Sequence, residues 1–266
     1  MNAALRDGLI VTWRNLKRIP RIPELAIFAI LQSIMFVLLF AFVFGGAIPL
    51  PGYEGIESAY REFLMPGIFA QTIVFAAATT TIGMTDDVNK GIIDRFRSLP
   101  MARPAVLIGR ALSDVVYNGG ILIVLMLSGL VVGWTIRTGI SELLAGVGLL
   151  LLFAFAMSWL GIWLGLSVPT VEVAQQVGFT VLFPITFVSS VFVPTQTLPD
   201  WLQFFAEWNP TSTLTAALRE LWGNPNPFAS DSFPSQEPVL VTLIWVVVII
   251  AIFAPLGVRR YRSMSR

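Results

Sequence analysis

The sequence predicts an all-α integral membrane protein. It would have six transmembrane helices, an N-terminal amphipathic interfacial helix, a helical cytoplasmic loop and an extracytoplasmic re-entrant helical hairpin. Three observations predict it. Of the 266 residues, 56% are apolar and 12% charged, about half the charge of an ordinary soluble domain. Six windows free of Asp, Glu, Lys and Arg run from 21 to 29 residues: Leu25–Tyr53, Phe63–Thr85, Val115–Ile136, Leu143–Val171, Val173–Pro199 and Pro238–Val258. A helix of about 20 mainly apolar residues crosses a bilayer core. With six crossings, 14 of the 17 basic residues fall on one side and only Arg61, Arg137 and Arg219 on the other. Positive charge is retained on the cytoplasmic side, so both termini are expected there, in a bacterial inner (plasma) membrane. The organisation expected is an interfacial helix over 1–24, a six-span domain over 25–257 and a basic cytoplasmic tail over 258–266.

In residues 1–24, Leu5, Leu9, Trp13 and Leu16 recur at helical spacing, with Asp7, Arg14, Lys17 and Arg18 on other faces. This is the pattern of a helix lying in the membrane interface. It is compatible with a simple anchor or with an added contact to a cytoplasmic partner. Pro20 and Pro23 restrict the residues before them and favour an elbow. The run that follows exceeds the apolar core of a secretory signal and lacks a small-residue cleavage site, so it is read as an uncleaved first span, about Leu25 to Ile48.

The second span, Phe63 to Met84, holds Pro66, Gln71 and the run Thr79, Thr80, Thr81. Polar groups at membrane depth face protein or a watery cavity. Threonine hydroxyls can instead bond their own helix carbonyls, which ranks Gln71 above them as a pathway residue. The third span, about Asp114 to Trp134, carries Asn118 near its inner end and Gly129 and Gly133 four apart. The fourth, about Leu143 to Ser167, repeats that spacing at Gly161 and Gly165. Such pairs let helices approach closely, within one subunit or across a dimer. Gln71, Thr79, Thr80 and Asn118 are the candidate pathway residues.

The fifth span is expected from about Val177 to Val193. Beyond it, residues 195–237 form the longest outer segment. Leu198–Glu207 and Thr211–Trp222 are helix-compatible pieces split by Asn209 and Pro210, with Asn209 placed to cap and Pro210 to begin the second piece. At about 15 and 18 Å each is too short to cross, so they read as a hairpin dipping into the outer leaflet, serving as lid or buttress. Trp201, Trp208 and Trp222 are expected at headgroup level. The sixth span is Pro238 to Gly257.

The chain has no His and no Cys, which removes the usual nucleophile pairs, zinc ligands and disulfides. No metal site, catalytic residue or nucleic-acid face is expected. No carboxylate or basic residue is expected at mid-membrane depth, where ion-coupled transporters hold their relays, and Arg110 with Asp114 reads as a local i, i+4 contact. The nucleotide phosphate loop is also missing, so ATP energy would have to arrive from another polypeptide. A partner-independent secondary transporter or channel is the competing reading.

The cytoplasmic loop 85–110 runs Asp86, Asp87, Val88, Asn89, Lys90, Gly91, Ile92, Ile93, Asp94, Arg95, Phe96, Arg97, Ser98, Leu99, Pro100. Ile92, Phe96 and Leu99 fall on one helical face and Pro100 ends the turn. This stretch resembles the coupling helix of type-2 ABC exporter permeases, matching at Asp87, Lys90, Gly91, Asp94, Leu99 and Pro100. It departs mildly at Ile92, Asp94 and Phe96. A second stretch is similar to that family's signature after the fifth span: Phe192-Val193-Pro194, Leu198-Pro199, Trp201-Leu202, Asn209-Pro210, Thr213 and Ala217-Leu218-Arg219. The likeness covers essentially the whole chain and is closest to the daunorubicin-resistance type subgroup. It implies a permease subunit bound to two ATPase subunits, which would carry ATP and Mg, and to a second permease, identical or sister. Lys90, Gly91, Ile92, Asp94, Arg95, Phe96, Arg97, Leu99 and Pro100 would couple to the ATPase. The substrate would be an amphiphile such as an antibiotic or lipid.

Overall fold

The computed structural model describes residues 3–16, 23–39, 42, 53, 57–97, 103–191, 198–227 and 229–264. Among them there are helices and turns but no strand: α1 (Ala3–Leu16), α2 (Pro23–Leu38), α3 (Glu57–Asn89), α4 (Ile92–Arg97), α5 (Arg103–Val132), α6 (Ile140–Ser167), α7 (Val171–Phe187), α8 (Asp200–Trp208), α9 (Pro210–Trp222), α10 (Phe233–Gln236) and α11 (Pro238–Ser263). Among the described residues four helices are long and apolar enough to cross a membrane: Ser58–Asn89, Ala105–Val132, Ile140–Ser167 and Pro238–Ser263.

The surface of these helices is inverted relative to a soluble bundle. Ile123, Leu127 and Val131 on α5 and Ile244, Val247 and Ile252 on α11 are exposed, whereas Gln71, Thr80, Thr81, Thr85, Asn118, Ser158 and Thr242 are buried. Contiguous apolar surface of this extent needs a partner other than water, and lipid meets that need. The buried hydroxyls stay satisfied by bonding back one turn: Thr81 to Ala77 O, Thr85 to Thr81 O, Ser158 to Ala154 O and Thr242 to Pro238 O, all at 2.7–3.0 Å.

The most enclosed helix is α3, which packs along α6 and also against α7, α9 and α5. The α3–α6 seam closes at the glycine pair four apart. A Cβ on Gly161 would lie 2.6 Å from Ala77 O, and one on Gly165 2.6 Å from Thr81 O. That pair therefore serves packing within one chain. The pair at Gly129 and Gly133 is not a helical seam, because α5 ends at Val132 and Gly133 turns the chain with φ +99°.

Several boundaries differ from expectation. The second span begins earlier and runs later, as 33 residues of α3, because the polar residues flanking the apolar window continue the same helix. The third likewise begins at Arg103 rather than Asp114, taking up the last part of the expected cytoplasmic loop, residues 103–110. The fifth stops at Phe187, so α7, 17 residues long, reaches only about 26 Å. Among the described side chains of α1, Gly8, Val11 and Thr12 are buried and set against α5, while Trp13 of the expected apolar stripe is 63% exposed and the side chains of Leu5 and Leu9 lie outside the described residues. Small residues win that interface because they let the two backbones close.

The two pieces of the hairpin form as α8 and α9. Asn209 caps α9 by accepting from Thr211 N at 2.8 Å, with Pro210 in its first turn. Only α8 is peripheral: Trp201, Phe204 and Phe205 are exposed. By contrast α9 is core, and Trp222, expected at headgroup level, is fully buried. It meets Phe69 and Trp134 edge to face, with ring centroids 5.7 and 5.3 Å away. The adjoining turn is bolted to it: Trp134 Nε1 donates to Asn224 Oδ1 at 2.9 Å and Arg137 N to Trp222 O at 3.0 Å.

Candidate functional site

At its C-terminal end α3 carries Asp86, Asp87, Val88 and Asn89 and then stops at a glycine. Gly91 has φ +66°, and a Cβ there would meet nothing within 4 Å. The left-handed backbone, rather than crowding, is what calls for glycine. Lys90 N and Gly91 N close the turn onto Asp86 O and Val88 O, both at 3.0 Å. The chain then restarts as α4.

What seats α4 is Ile93. It is buried in a cluster with Met84 of α3, Val106 and Leu107 of α5 and Ile162 and Leu166 of α6, worth about 1.5–3 kcal/mol for a fully buried Ile. Ile92 beside it is half-buried, while Lys90 and Arg95 are exposed. Lys90 pairs with Asp86 at 2.7 Å, but at this exposure the pair contributes at most about 1 kcal/mol. The side chains of Asp94, Phe96 and Arg97, and all of Leu99 and Pro100, lie outside the described residues. So do Phe192, Val193 and Pro194 of the second stretch.

Beneath this turn lies an ion cluster. Arg110 Nε stands 3.2 Å from Asp114 and Arg110 Nη1 3.4 Å from Asp87, and Thr80 Oγ1 donates to Asp114 Oδ2 at 2.8 Å. The guanidinium crosses α3 at Gly83, where a Cβ would come within 2.3 Å of Nη2. The pair expected to be local to α5 therefore ties α5 to α3. Removing one partner from a buried ion pair costs about 3–5 kcal/mol, because the remaining charge is left uncompensated.

The same stretch of α5 receives α1. Thr12 Oγ1 donates to Gly109 O at 3.1 Å and Asn15 Nδ2 to Ser113 Oγ at 3.3 Å. A Cβ on Gly109 would sit 2.6 Å from that of Val11. Thus α1, the start of α5, the end of α3 and α4 form one packed corner, with Lys90 and Arg95 on its surface.

The candidate pathway residues separate. Gln71 and Asn118 are buried on α3 and α5, Thr79 is exposed and donates to Ala76 O at 2.7 Å, and Thr80 is committed to the ion cluster. At the opposite end, Trp201 is exposed on α8, Asn209 and Pro210 join α8 to α9, and Arg219 is buried. Arg219, one of the three basic residues expected on the outer side, is therefore enclosed by the bundle. Arg137, in the loop at that end, pairs with buried Glu62 at 2.9 Å, and the hydrogen bond to Glu62 holds its pKa above the ordinary arginine value.

One residue and one contact that shape the site are not legible in the sequence. Ile93 is masked by its neighbour Ile92, since six residues are too few for periodicity to choose a face. The Asp87–Arg110 contact spans 23 residues, and no local spacing signals it.

The sequence model of the ABC-2 type transporter family matches residues 7–221. A Streptomyces coeruleorubidus protein named daunorubicin resistance ABC transporter permease protein DrrB1 is 31% identical over 262 residues, covering 98% of this chain and 88% of that protein. A Mycobacterium tuberculosis protein named probable doxorubicin resistance ABC transporter permease protein DrrC is 25% identical over 255 residues, covering 95% and 88%. A Porphyra purpurea protein named putative transport permease ycf38 is 23% identical over 225 residues, covering 84% and 74%.

Proposed function

The chain belongs to the ABC-2 type transporter family, and on that premise we propose that it is the membrane subunit of an ATP-driven exporter in a bacterial inner membrane. In this reading six helices span, both termini are cytoplasmic, and the corner built by α1, α3, α4 and α5 faces the cytoplasm. Two ATPase subunits carrying ATP and Mg dock there, and a second permease, identical or sister, completes the complex. The 14-to-3 sorting of basic residues supports the orientation.

The observation that carries the reading is the seating of α4. Its apolar residue Ile93 is buried between α3, α5 and α6 while Lys90 and Arg95 remain exposed. A short helix anchored from beneath and charged above can pass a displacement of a partner into the spans. ATP-driven coupling requires such a contact to differ between two states of the partner. Lys90, Gly91, Ile92, Asp94, Arg95, Phe96, Arg97, Leu99 and Pro100 form the proposed docking segment.

The substrate proposed is an amphiphile, a drug-like antibiotic or a lipid, consistent with relatives named for daunorubicin and doxorubicin resistance. Gln71 and Asn118, buried polar groups in an apolar bundle, are the first pathway candidates, ahead of Thr79 and Thr80.

The test is reconstitution in liposomes. The purified chain alone should hydrolyse no ATP, and transport of an anthracycline probe should appear only with an added ATPase subunit bearing a phosphate loop. Transport driven by an ion gradient without any ATPase would overturn the reading.

A further inference from the structure

At the end of the bundle opposite α4, Arg219 of α9 is 1% exposed. Its Nε donates to Phe63 O of α3 at 3.0 Å and its Nη2 to Ser190 O, in the turn after α7, at 3.1 Å. The guanidinium carbon lies 3.7 Å from the centroid of the Phe63 ring. Among the described residues no carboxylate pairs with it. Tyr60, one turn earlier on α3, is also buried, and its hydroxyl has no hydrogen-bond partner among the described residues. A cation held by two neutral carbonyls and an aromatic face is a costly arrangement in an apolar surrounding.

The two carbonyls belong to different parts of the fold. Phe63 lies in the α3–α6–α9 core. Ser190 lies in the turn that follows the short helix α7, which packs chiefly on α3 and exposes Phe179, Phe183 and Phe187. Further polar ties hold this end of α7. Asn209 Nδ2 donates to Ile185 O and Val188 O at 2.6 Å, and Ser212 Oγ accepts from Ser190 N at 2.9 Å. Val191 then rests on Gly67, where a Cβ would come within 3.0 Å of it.

We propose that Arg219 is a positioning residue of the transport cycle: it latches the outer end of α7 to α3 and α9, and releasing that end opens the bundle on the exit side. The bonds it makes to backbone carbonyls can be exchanged for water, and hydration of the guanidinium offsets their loss. The closed state is therefore held by geometry and opposed by a buried charge, which suits a contact that must open on every turnover. The exit-side role rests on the exporter reading; the latch itself does not.

Because the chain has no cysteine, Val191→Cys, at a fully buried position, reports opening through its reaction with a membrane-impermeant maleimide. Ala154→Cys, buried in α6, reports general loosening. In membranes at rest, Val191→Cys is expected to be protected. It should label about tenfold or more faster with Arg219→Ala, the factor that loss of one charge-assisted hydrogen bond supplies. Arg219→Lys keeps the charge but not the fork and should fall between, serving alone if the alanine variant does not accumulate. Ala154→Cys should stay protected throughout. With the ATPase bound and turning over, Val191→Cys should label faster than at rest. Unchanged labelling in both Arg219 variants, or parallel labelling of Ala154→Cys, overturns the latch. Protection of Val191→Cys during measured export overturns its role in exit. Absence of any ATP-driven transport overturns the exporter reading, while the resting comparison still decides the latch.

Discussion

Asp87 and Arg110 are 23 residues apart in the chain and 3.4 Å apart in space. With Asp114 on the far side of the guanidinium, they fasten the last turn of α3 to the second turn of α5, directly beneath α4. A displacement of α4 is thereby shared by both helices and, through Thr12 and Asn15, by α1.

Arg110→Ala leaves two buried carboxylates facing one another without their cation. The expected loss is about 3–5 kcal/mol, read as a lower unfolding midpoint of the purified protein in detergent. Adding Asp114→Asn removes one of the stranded charges and should restore part of the difference. An unchanged midpoint for the single variant would show that the cluster contributes nothing to the fold.

Ile93→Ala empties the seat of α4 and should cost about 2–5 kcal/mol locally. The spans do not depend on this residue, so membrane insertion should persist while recovery of the ATPase subunit in pull-downs falls. Lys90→Ala, which takes one exposed charge from the proposed docking segment and leaves the seat of α4 filled, should leave insertion unchanged and lower ATPase recovery less than Ile93→Ala. Equal ATPase recovery with Ile93→Ala would move the docking surface away from α4.

Gly91→Ala forces a Cβ into the left-handed region at roughly 1–2 kcal/mol, with no steric conflict from neighbours. The turn into α4 should shift, lowering substrate transported per ATP hydrolysed. Gly91→Asn, which tolerates positive φ better, should lose less. The order of the two variants separates a backbone requirement from one of size.

Gly165→Leu drives a side chain into Thr81 O and Met84 and should prevent α3 and α6 from closing, reducing the amount of folded protein extracted from membranes. Gly148 on the same helix is exposed and has nothing within 4 Å of where a Cβ would lie, so Gly148→Leu should be tolerated. If both variants accumulate equally, the seam is looser than the contact geometry requires.

The elements most legible in the sequence were those set by local chemistry. Long charge-free runs produce α3, α5, α6 and α11, because a helix is what satisfies every backbone group away from water. Asn209 and Pro210 mark the start of α9 by capping geometry alone. The turn between α3 and α4 was legible as a polar break; that its glycine adopts a left-handed backbone was decided by the structure. Less legible were helix ends, since the apolar window stops at the first charged residue whereas the hydrogen-bond ladder of α3 or α5 does not.

Burial of single residues was the least legible. Trp222 and Trp201 look alike in sequence, yet one joins the aromatic core with Phe69 and Trp134 and the other faces outward. Arg219 counted as one of three outer charges and proved to be enclosed.

By itself the sequence determined that this chain lives in lipid, that its charged residues fall between long charge-free runs, that it has no histidine or cysteine chemistry, and where its hairpin breaks. All of these follow from composition and from interactions within a few residues. Only the tertiary structure decided that Asp87 meets Arg110, that Ile93 rather than Ile92 seats α4, that Gly8, Val11 and Thr12 are the working face of α1, and that Arg219 bridges α3 to the end of α7. Those are contacts between distant segments, and in a bundle whose helices are apolar on nearly every side, hydrophobic periodicity cannot say which face meets which neighbour. Close approach at small residues and the pairing of buried polar groups make that choice, and both depend on how the helices are set against one another.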